Sequence, residues 1–376
     1  MLDRRRFIVS AAASCAVGVL PETAAAVGEE WRNRQPGMAY QKLGRTGFMI
    51  SRMVMGGNTI APTNYEHVLL AMDMGLNYLD TAPAYGSGKS EEGYAQVLKA
   101  RPRDSFFLNT KVSPWDLNRN RLYKDIFDSL PETEQKKVRH AAQGYIEKAR
   151  IFEPDYVGDY FRGQRGEVEA AALSNAIAEK YGEKLDRGKN YRQIILDSVH
   201  ASLGRLGTDH VDILMCPHGA STPAELRNYP EILEAFEILK KQGKVRHLGV
   251  SAHSDPAGIL RAAVEQKHYS VAMVAYNVVN HRFVDTALKA AHDAGLGVIA
   301  MKVARPVWGA RRDGRQADPR RLAMIERAFP GPLKAPQKAY AWALRNRRLP
   351  AVISELINAE LVKENVPLAA GNAAPA

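Results

Sequence analysis

Cysteine is nearly absent from the 376 residues, which contain only Cys15 and Cys216. So small a number rules out a disulfide framework, and the fold has to be held by its core. Long apolar runs are missing too. Beyond the N-terminus no stretch of about 18 uninterrupted apolar residues occurs, which argues against a mature membrane span. Zinc-ligand spacing is absent, as is the interleaving of aromatic and basic residues found in RNA-binding modules. The formal net charge of +11 therefore reads as a solvated basic surface and not as a nucleic-acid footprint. No glycine-rich dinucleotide fingerprint follows the first strand-like segment, which disfavours an open, doubly wound sheet. What is present, 45% hydrophobic and 25% charged residues, is ordinary for a globular enzyme.

The first residues stand apart. Arg4, Arg5 and Arg6 precede an apolar segment over residues 7–20, and Ala24 and Ala26 offer a small-x-small cleavage site. The string "DRRRFI" resembles a twin-arginine export signal. Residues 1–26 are thus expected to direct the folded protein, through the twin-arginine export machinery, to the periplasm. Cys15 follows "AAS", without the bulky aliphatic residue that usually precedes a lipoprotein cysteine. Removing the signal leaves Cys216 alone.

From about residue 38 short apolar segments alternate with longer amphipathic ones. Strand-like stretches cover residues 51–57, 77–81, 105–112, 210–216, 245–252, 271–277, 296–303 and 349–354. Helical patterns lie between them, at residues 64–76 with Asn64 as N-cap, 90–100 with Ser90 as N-cap, 191–207, 223–244, 255–266, 282–295 and 335–348. About eight strands, each apolar enough to be buried on both faces, predict a parallel (β/α)₈ barrel over residues 38–370. One segment breaks the rhythm. Residues 111 and 218 are separated by about three times the roughly 30 residues of a strand–helix–strand unit. The surplus, residues 115–190, is polar and helical in pattern. It leaves the third strand and so belongs on the carboxyl face of the barrel, as a substrate lid or as a surface for a partner.

Four polar residues fall at comparable places. Asp80 closes the second strand, Tyr85 lies in the loop after it, Lys111 closes the third strand and His218 follows the fourth. Singly, each has a plain reading as a helix cap, a packed loop aromatic, a surface charge or a turn residue. Together, on successive strand ends, they share one pocket. A lysine ammonium lowers the pKa of a nearby tyrosine, an aspartate fixes the lysine, and a histidine orients a carbonyl oxygen. Such a set donates a proton to a carbonyl under reduction, and the hydride has to come from a nicotinamide.

The strings "KLGRTGFMISRMVMGG", "NYLDTAPAYG", "LNTKV", "SLGRLGTDHVDILMCPH" and "GKVRHLGVSAH" together resemble the aldo-keto reductase family. The resemblance implies a catalytic tetrad of Asp80, Tyr85, Lys111 and His218, with Tyr85 as proton donor. It also implies NADP or NAD laid across the barrel mouth with its amide near Ser251. Gly57, Asp80, Ser251, Lys302, Glu360 and Asn365 are the expected cofactor-binding residues, and a small-molecule carbonyl the expected substrate.

The departures concern the cofactor. Met273 and Ala275 stand where many members have a glutamine, and Met301 and Lys302 where an aromatic often stacks under the nicotinamide. The C-terminal adenine-binding string, usually opened by a proline–glycine turn and carrying a basic residue for the 2′-phosphate, reads "ISELINAELVKEN". It places Glu355 near the turn and Glu360 at a usual glutamine position, while Asn365 matches. Arg305, Arg311 and Arg312 are the substitute cations. An exported reductase needs a cofactor tight enough to travel with it. Two other readings use the same residues: a silent barrel acting as a binding or regulatory subunit, and an acid–base enzyme without hydride transfer.

Overall fold

The computed structural model describes residues 28–158, 160–308 and 316–370. The expected signal over residues 1–26 lies outside them. Among the described residues no helix is long and apolar enough to cross a membrane.

The N-terminal stretch forms a small sheet of β1 (Glu30–Trp31), β2 (Tyr40–Lys42) and β3 (Phe48–Ser51), with β3 in the middle. The barrel follows. Its strands are β4 (Met53–Gly56), β5 (Tyr78–Asp80), β6 (Phe107–Lys111), β7 (Val211–His218), β8 (Val245–Ala252), β9 (Tyr269–Ala275), β10 (Gly297–Met301) and β11 (Ala351–Ser354). They pair in parallel and in sequence order, and β11 returns to β4 with Val352 opposite Met53, so the sheet closes as the strand count predicts.

The alternation of side chains explains why these runs are apolar on both faces. On β7 and β9, Ile213, Met215, Val271 and Met273 point inward and join Val54, Tyr78, Phe107, Ile299 and Met301 in an interior cluster. Their neighbours Leu214, Cys216, Ala272 and Val274 point outward into a second core beneath the helices. The N-terminal sheet plugs the amino end, where Phe48 stacks on Phe107 at 4.4 Å between ring centroids.

Thirteen α-helices are described. The early wall has α1 (Glu66–Asp73) and α2 (Lys89–Ala100), and the long excursion carries α3 (Trp115–Asp128), α4 (Glu132–Lys148) and α5 (Gln164–Tyr181). After it come α6 (Ile194–Leu206), α7 (Ala224–Arg227), α8 (Glu231–Lys241), α9 (Pro256–Glu265) and α10 (His281–Asp293). The C-terminal part holds α11 (Pro319–Ala328), α12 (Ala335–Leu344) and α13 (Ala359–Asn365).

Three local expectations differ. Asn64 is not a cap: its side chain accepts from Ala61 N and donates to Thr59 O, locking the loop before α1, which starts at Glu66. Ser90 lies inside α2, because its hydroxyl turns inward to Gly57 O and Thr81 Oγ1. The helix over residues 223–244 is broken into α7 and α8, with Pro230 as the residue preceding α8. A proline inside a continuous helix would remove one backbone bond and clash with the preceding turn.

The excursion is bound to the carboxyl-end loops by buried polar groups. Glu225, fully buried, takes an ion pair from Arg119, a hydrogen bond from Trp115 Nε1 at 3.1 Å, and the backbone N–H groups of Ser221 and Thr222. Asp255, the N-cap of α9, accepts from Tyr145 at 2.9 Å, Tyr156 at 2.6 Å and Gly258 N at 3.0 Å. Asn277 after β9 donates to Tyr160 Oη, and Arg305 after β10 to Tyr160 O. The excursion is thereby fastened above β7 to β10.

Removing one partner of a buried ion pair costs about 3–5 kcal/mol, because the other charge stays buried and unpaired. Glu225→Ala is therefore expected to lower unfolding free energy by about that amount. Tyr145→Phe should cost only about 1 kcal/mol, since Tyr156 still serves Asp255. Urea denaturation of the two variants beside the parent chain checks the ranking.

Candidate active site

Strand β5 ends on Asp80 because a cation waits beside it. Lys111, the last residue of the neighbouring strand β6, donates from Nζ to Asp80 Oδ1 at 2.5 Å and to Thr81 O at 2.8 Å. Asn109 Nδ2 adds a hydrogen bond to the same carboxylate oxygen at 2.8 Å. Both members of the pair are about 1% exposed. Burial pulls the Lys111 pKa down, and Asp80 opposes that pull, leaving it below the usual lysine value.

Tyr85 opens a single turn whose next three residues, Gly86, Ser87 and Gly88, all have positive φ. At Gly88, with φ +94°, a Cβ would lie 2.8 Å from the Arg205 side chain, so the tight turn needs glycine there. The turn lays the Tyr85 ring 4.5 Å from Lys111 Nζ. The expected lowering of the tyrosine pKa does not follow. Burial first, then the carboxylates of Asp80 and Glu355, hold it well above the ordinary value, and Tyr85 is protonated at neutral pH.

His218 is the last residue of β7, its ring centroid 6.0 Å from that of Tyr85 at 84°. Its Nδ1 lies 3.0 Å from Ser113 Oγ, which accepts the Ala84 N–H at 3.1 Å. Ser113 can then give its own proton to Nδ1, which places the imidazole proton on Nε2. Burial, and then the Lys111 charge, push the His218 pKa down to about 3.

The expected cofactor residues divide. Ser251 stands opposite His218 in the β7–β8 register, and its hydroxyl makes no hydrogen bond with a described residue. Lys302 follows β10 with φ +57°, and no carboxylate of the described residues lies within ion-pair distance of its Nζ. Gly57 leaves no room for a side chain, since a Cβ there would sit 2.2 Å from Asp80 O and 2.9 Å from the Tyr94 ring. Glu360 is exposed on the first turn of α13, and Asn365 is buried at its last residue with an uncommitted amide. Met273 and Met301 belong to the barrel interior. Arg311 and Arg312 lie outside the described residues.

Three contributors were not anticipated. Asn109 and Ser113 flank Lys111 at two residues on either side, on the same face of the chain. His253 lies two residues beyond Ser251, its ring 5.4 Å from that of Phe161 of the excursion. Burial first, then Lys302, His218 and Lys111, keep it neutral. The period-2 spacing from Lys111 and Ser251 along the chain is the signal that could have found them.

The profile of the Aldo/keto reductase family matches residues 52–143 and 155–370. Aldo-keto reductase AMT2 of Alternaria alternata is 25% identical over 361 residues, covering 87% of this chain and 86% of that protein. The NADH-specific methylglyoxal reductase of Escherichia coli (strain K12) is 24% identical, over 86% and 91%. Among solved structures, the aldo-keto reductase AKR11C1 from Bacillus halodurans (holo form) superposes with a TM-score of 0.57 at 19% identity, over 90% of this chain and 92% of its own.

His218 is expected to stay neutral down to a pH near 3. Its folded value lies below the unfolded value of about 6.5. The linked stability is therefore fully present above about pH 6.5 and is lost as pH falls toward 3. A histidine NMR titration of the folded chain should show no His218 protonation between about pH 5 and 8, whereas a midpoint near 6.5 would contradict the site as described.

Proposed function

The chain belongs to the aldo/keto reductase family of NAD(P)-dependent oxidoreductases, and from that premise we propose that it reduces an aldehyde, ketone or sugar carbonyl with Tyr85 as proton donor. The observation that carries the reading is the buried Lys111–Asp80 pair with its ammonium against the Tyr85 ring. A proton donor has to hold its proton until the carbonyl oxygen gains charge, and Tyr85 does. As the phenolate forms, Lys111 stabilises it, and Asp80 with Thr81 O keeps that ammonium in place. Neutral His218 donates from Nε2 to the carbonyl oxygen and aligns it.

A nicotinamide supplies the hydride when bound, since no side chain in the mouth can. The residues present fit such a group. Ser251 and Asn365 carry polar groups without a partner among the described residues, at the mouth and at the end of α13. Glu355 and Glu360, both exposed, flank the C-terminal stretch that the resemblance assigns to the adenine side. Carboxylates accept hydrogen bonds from free ribose hydroxyls and repel a 2′-phosphate. This supports NADH over NADPH, and the name of the E. coli relative points the same way.

The export reading extends the proposal. Residues 1–26 send the folded chain to the periplasm, and the excursion fastened above β7 to β10 keeps the cofactor from exchanging freely.

Two measurements test this. Tyr85→Phe should lower carbonyl reduction by about 10²–10⁴-fold while NADH affinity, read by fluorescence titration, stays the same. Unchanged turnover would remove Tyr85 from the chemistry. Mass spectrometry of the denatured protein, recovered from the compartment to which it is exported, should find NAD(H) near one per chain. A nucleotide-free protein that also fails to bind NADH in titration would leave the barrel as a binding subunit or a hydride-independent enzyme.

A further inference from the structure

Tyr85 and His218 come from different strand connections, yet one side chain reaches both. Ser113 Oγ accepts the backbone N–H of Ala84, the residue before Tyr85, at 3.1 Å and lies 3.0 Å from His218 Nδ1. A serine hydroxyl has one proton to give. Among the described residues Ser113 Oγ has no third partner, so Nδ1 is the acceptor open to that proton. The opposite sense, with Nδ1–H donating, would make Ser113 accept twice and leave its own hydrogen without an acceptor among the described residues.

The hydroxyl is held in place from both sides. Lys111 ends β6 with its ammonium bound inside the barrel, and the Val112 N–H pairs with Met215 O of β7 at 3.0 Å. Pro114 follows Ser113 and precedes α3, where the buried Trp115 donates to Glu225 at 3.1 Å. A proline keeps the residue before it out of helical backbone, so α3 does not run back through Ser113. The side chain is thus fixed between the strand that carries Lys111 and the root of the excursion. From there it ties the imidazole to the turn that lays the Tyr85 ring against the ammonium. An imidazole has two nitrogens, and one orientation with one tautomer turns an N–H to a carbonyl oxygen in the mouth.

We propose that Ser113 is a positioning residue for the reduction. It holds His218 as the Nε2–H tautomer and keeps the Tyr85 turn in register with that ring, so that both donors converge on one carbonyl oxygen. The part in turnover rests on the reductase reading; the hold on the ring does not.

Nitrogen-15 NMR of the full chain reads the tautomer without any substrate. His218 should carry its proton on Nε2 in the parent chain and in Ser113→Thr, whereas Ser113→Ala should shift both ring nitrogens toward a mixture of tautomers. In turnover, Ser113→Ala should lower kcat about tenfold, as expected for loss of one hydrogen bond, with KM and NADH affinity nearly unchanged. Ser113→Thr should restore most of the rate. Because Ser113 acts through the ring, the same change made in His218→Ala should cost less than about twofold. A protonated Nδ1 in the parent, or an unaltered tautomer in Ser113→Ala, would overturn the proposal whatever the activity. A full tenfold loss in the His218→Ala background would also overturn it, by giving Ser113 a structural part alone. The expected tautomer change in a chain that reduces no carbonyl would uphold the hold on the ring and reject the reductase reading.

Discussion

The arrangement of the mouth depends on one buried ion pair. Placing Lys111 and Asp80 in the interior at about 1% exposure removes both from water, at several kcal/mol per ion before their attraction and hydrogen bonds are counted. The pair is tolerable because the ammonium and the carboxylate both keep buried hydrogen-bond partners. Asp80 Oδ1 and Thr81 O face Lys111, and Asn109 shares the carboxylate. In that geometry β6 runs two residues past the end of β5: the register sets Asp80 opposite Asn109, two residues before Lys111. Tyr85 follows from the same constraint. Its turn has to bring the ring back over the ammonium, which explains three successive positive φ values.

A second constraint acts above the barrel. Glu225 and Asp255 are carboxylates buried by the excursion, and each would be stranded if the excursion swung away. A segment whose opening uncovers two such groups behaves as a fixed wall of the site. Its residues Tyr160 and Phe161 then belong to the mouth as much as the strand ends do, through Asn277, Arg305 and His253. The outer scaffold follows the same logic. Glu91, fully buried, takes Arg205 and Thr110, joining α2, α6 and β6, while Asp212 gathers Arg32, Arg103 and Arg246 at the amino end.

The barrel was legible because strands buried on both faces leave an unmistakable run of apolar residues, and eight of them with intervening helices fit little else. Asp80, Lys111 and His218 were legible for the same reason, since position in a barrel strand decides where a side chain points, and Tyr85 by its place in the turn after β5. The rest depends on contacts across long separations. Ser90 looks like a cap until Gly57 O, 33 residues away in sequence, takes its hydroxyl. The need for glycine at residue 57 is set by Asp80 O, 23 residues on, which fills the space a Cβ would take. Arg205 and Asp212 stand out in the "SLGRLGTDHVDILMC" string, yet the first secures the wall and the second the amino end. His253 and Phe161 meet only because the excursion folds back over β8, a path that its polar helices do not encode locally.

The reversed sign at Tyr85 bears on how its proton is held. An isolated lysine beside a tyrosine favours the phenolate, but here the lysine charge is already shared with Asp80, and burial penalises a new anion. The resting state is therefore the neutral phenol with a neutral His218 beside it, which is the state that gives protons away. Attraction between a new phenolate and the Lys111 ammonium, which lies 4.5 Å from the ring centre, arises only once the proton has moved. Stabilisation that appears only as charge develops is what accelerates a step.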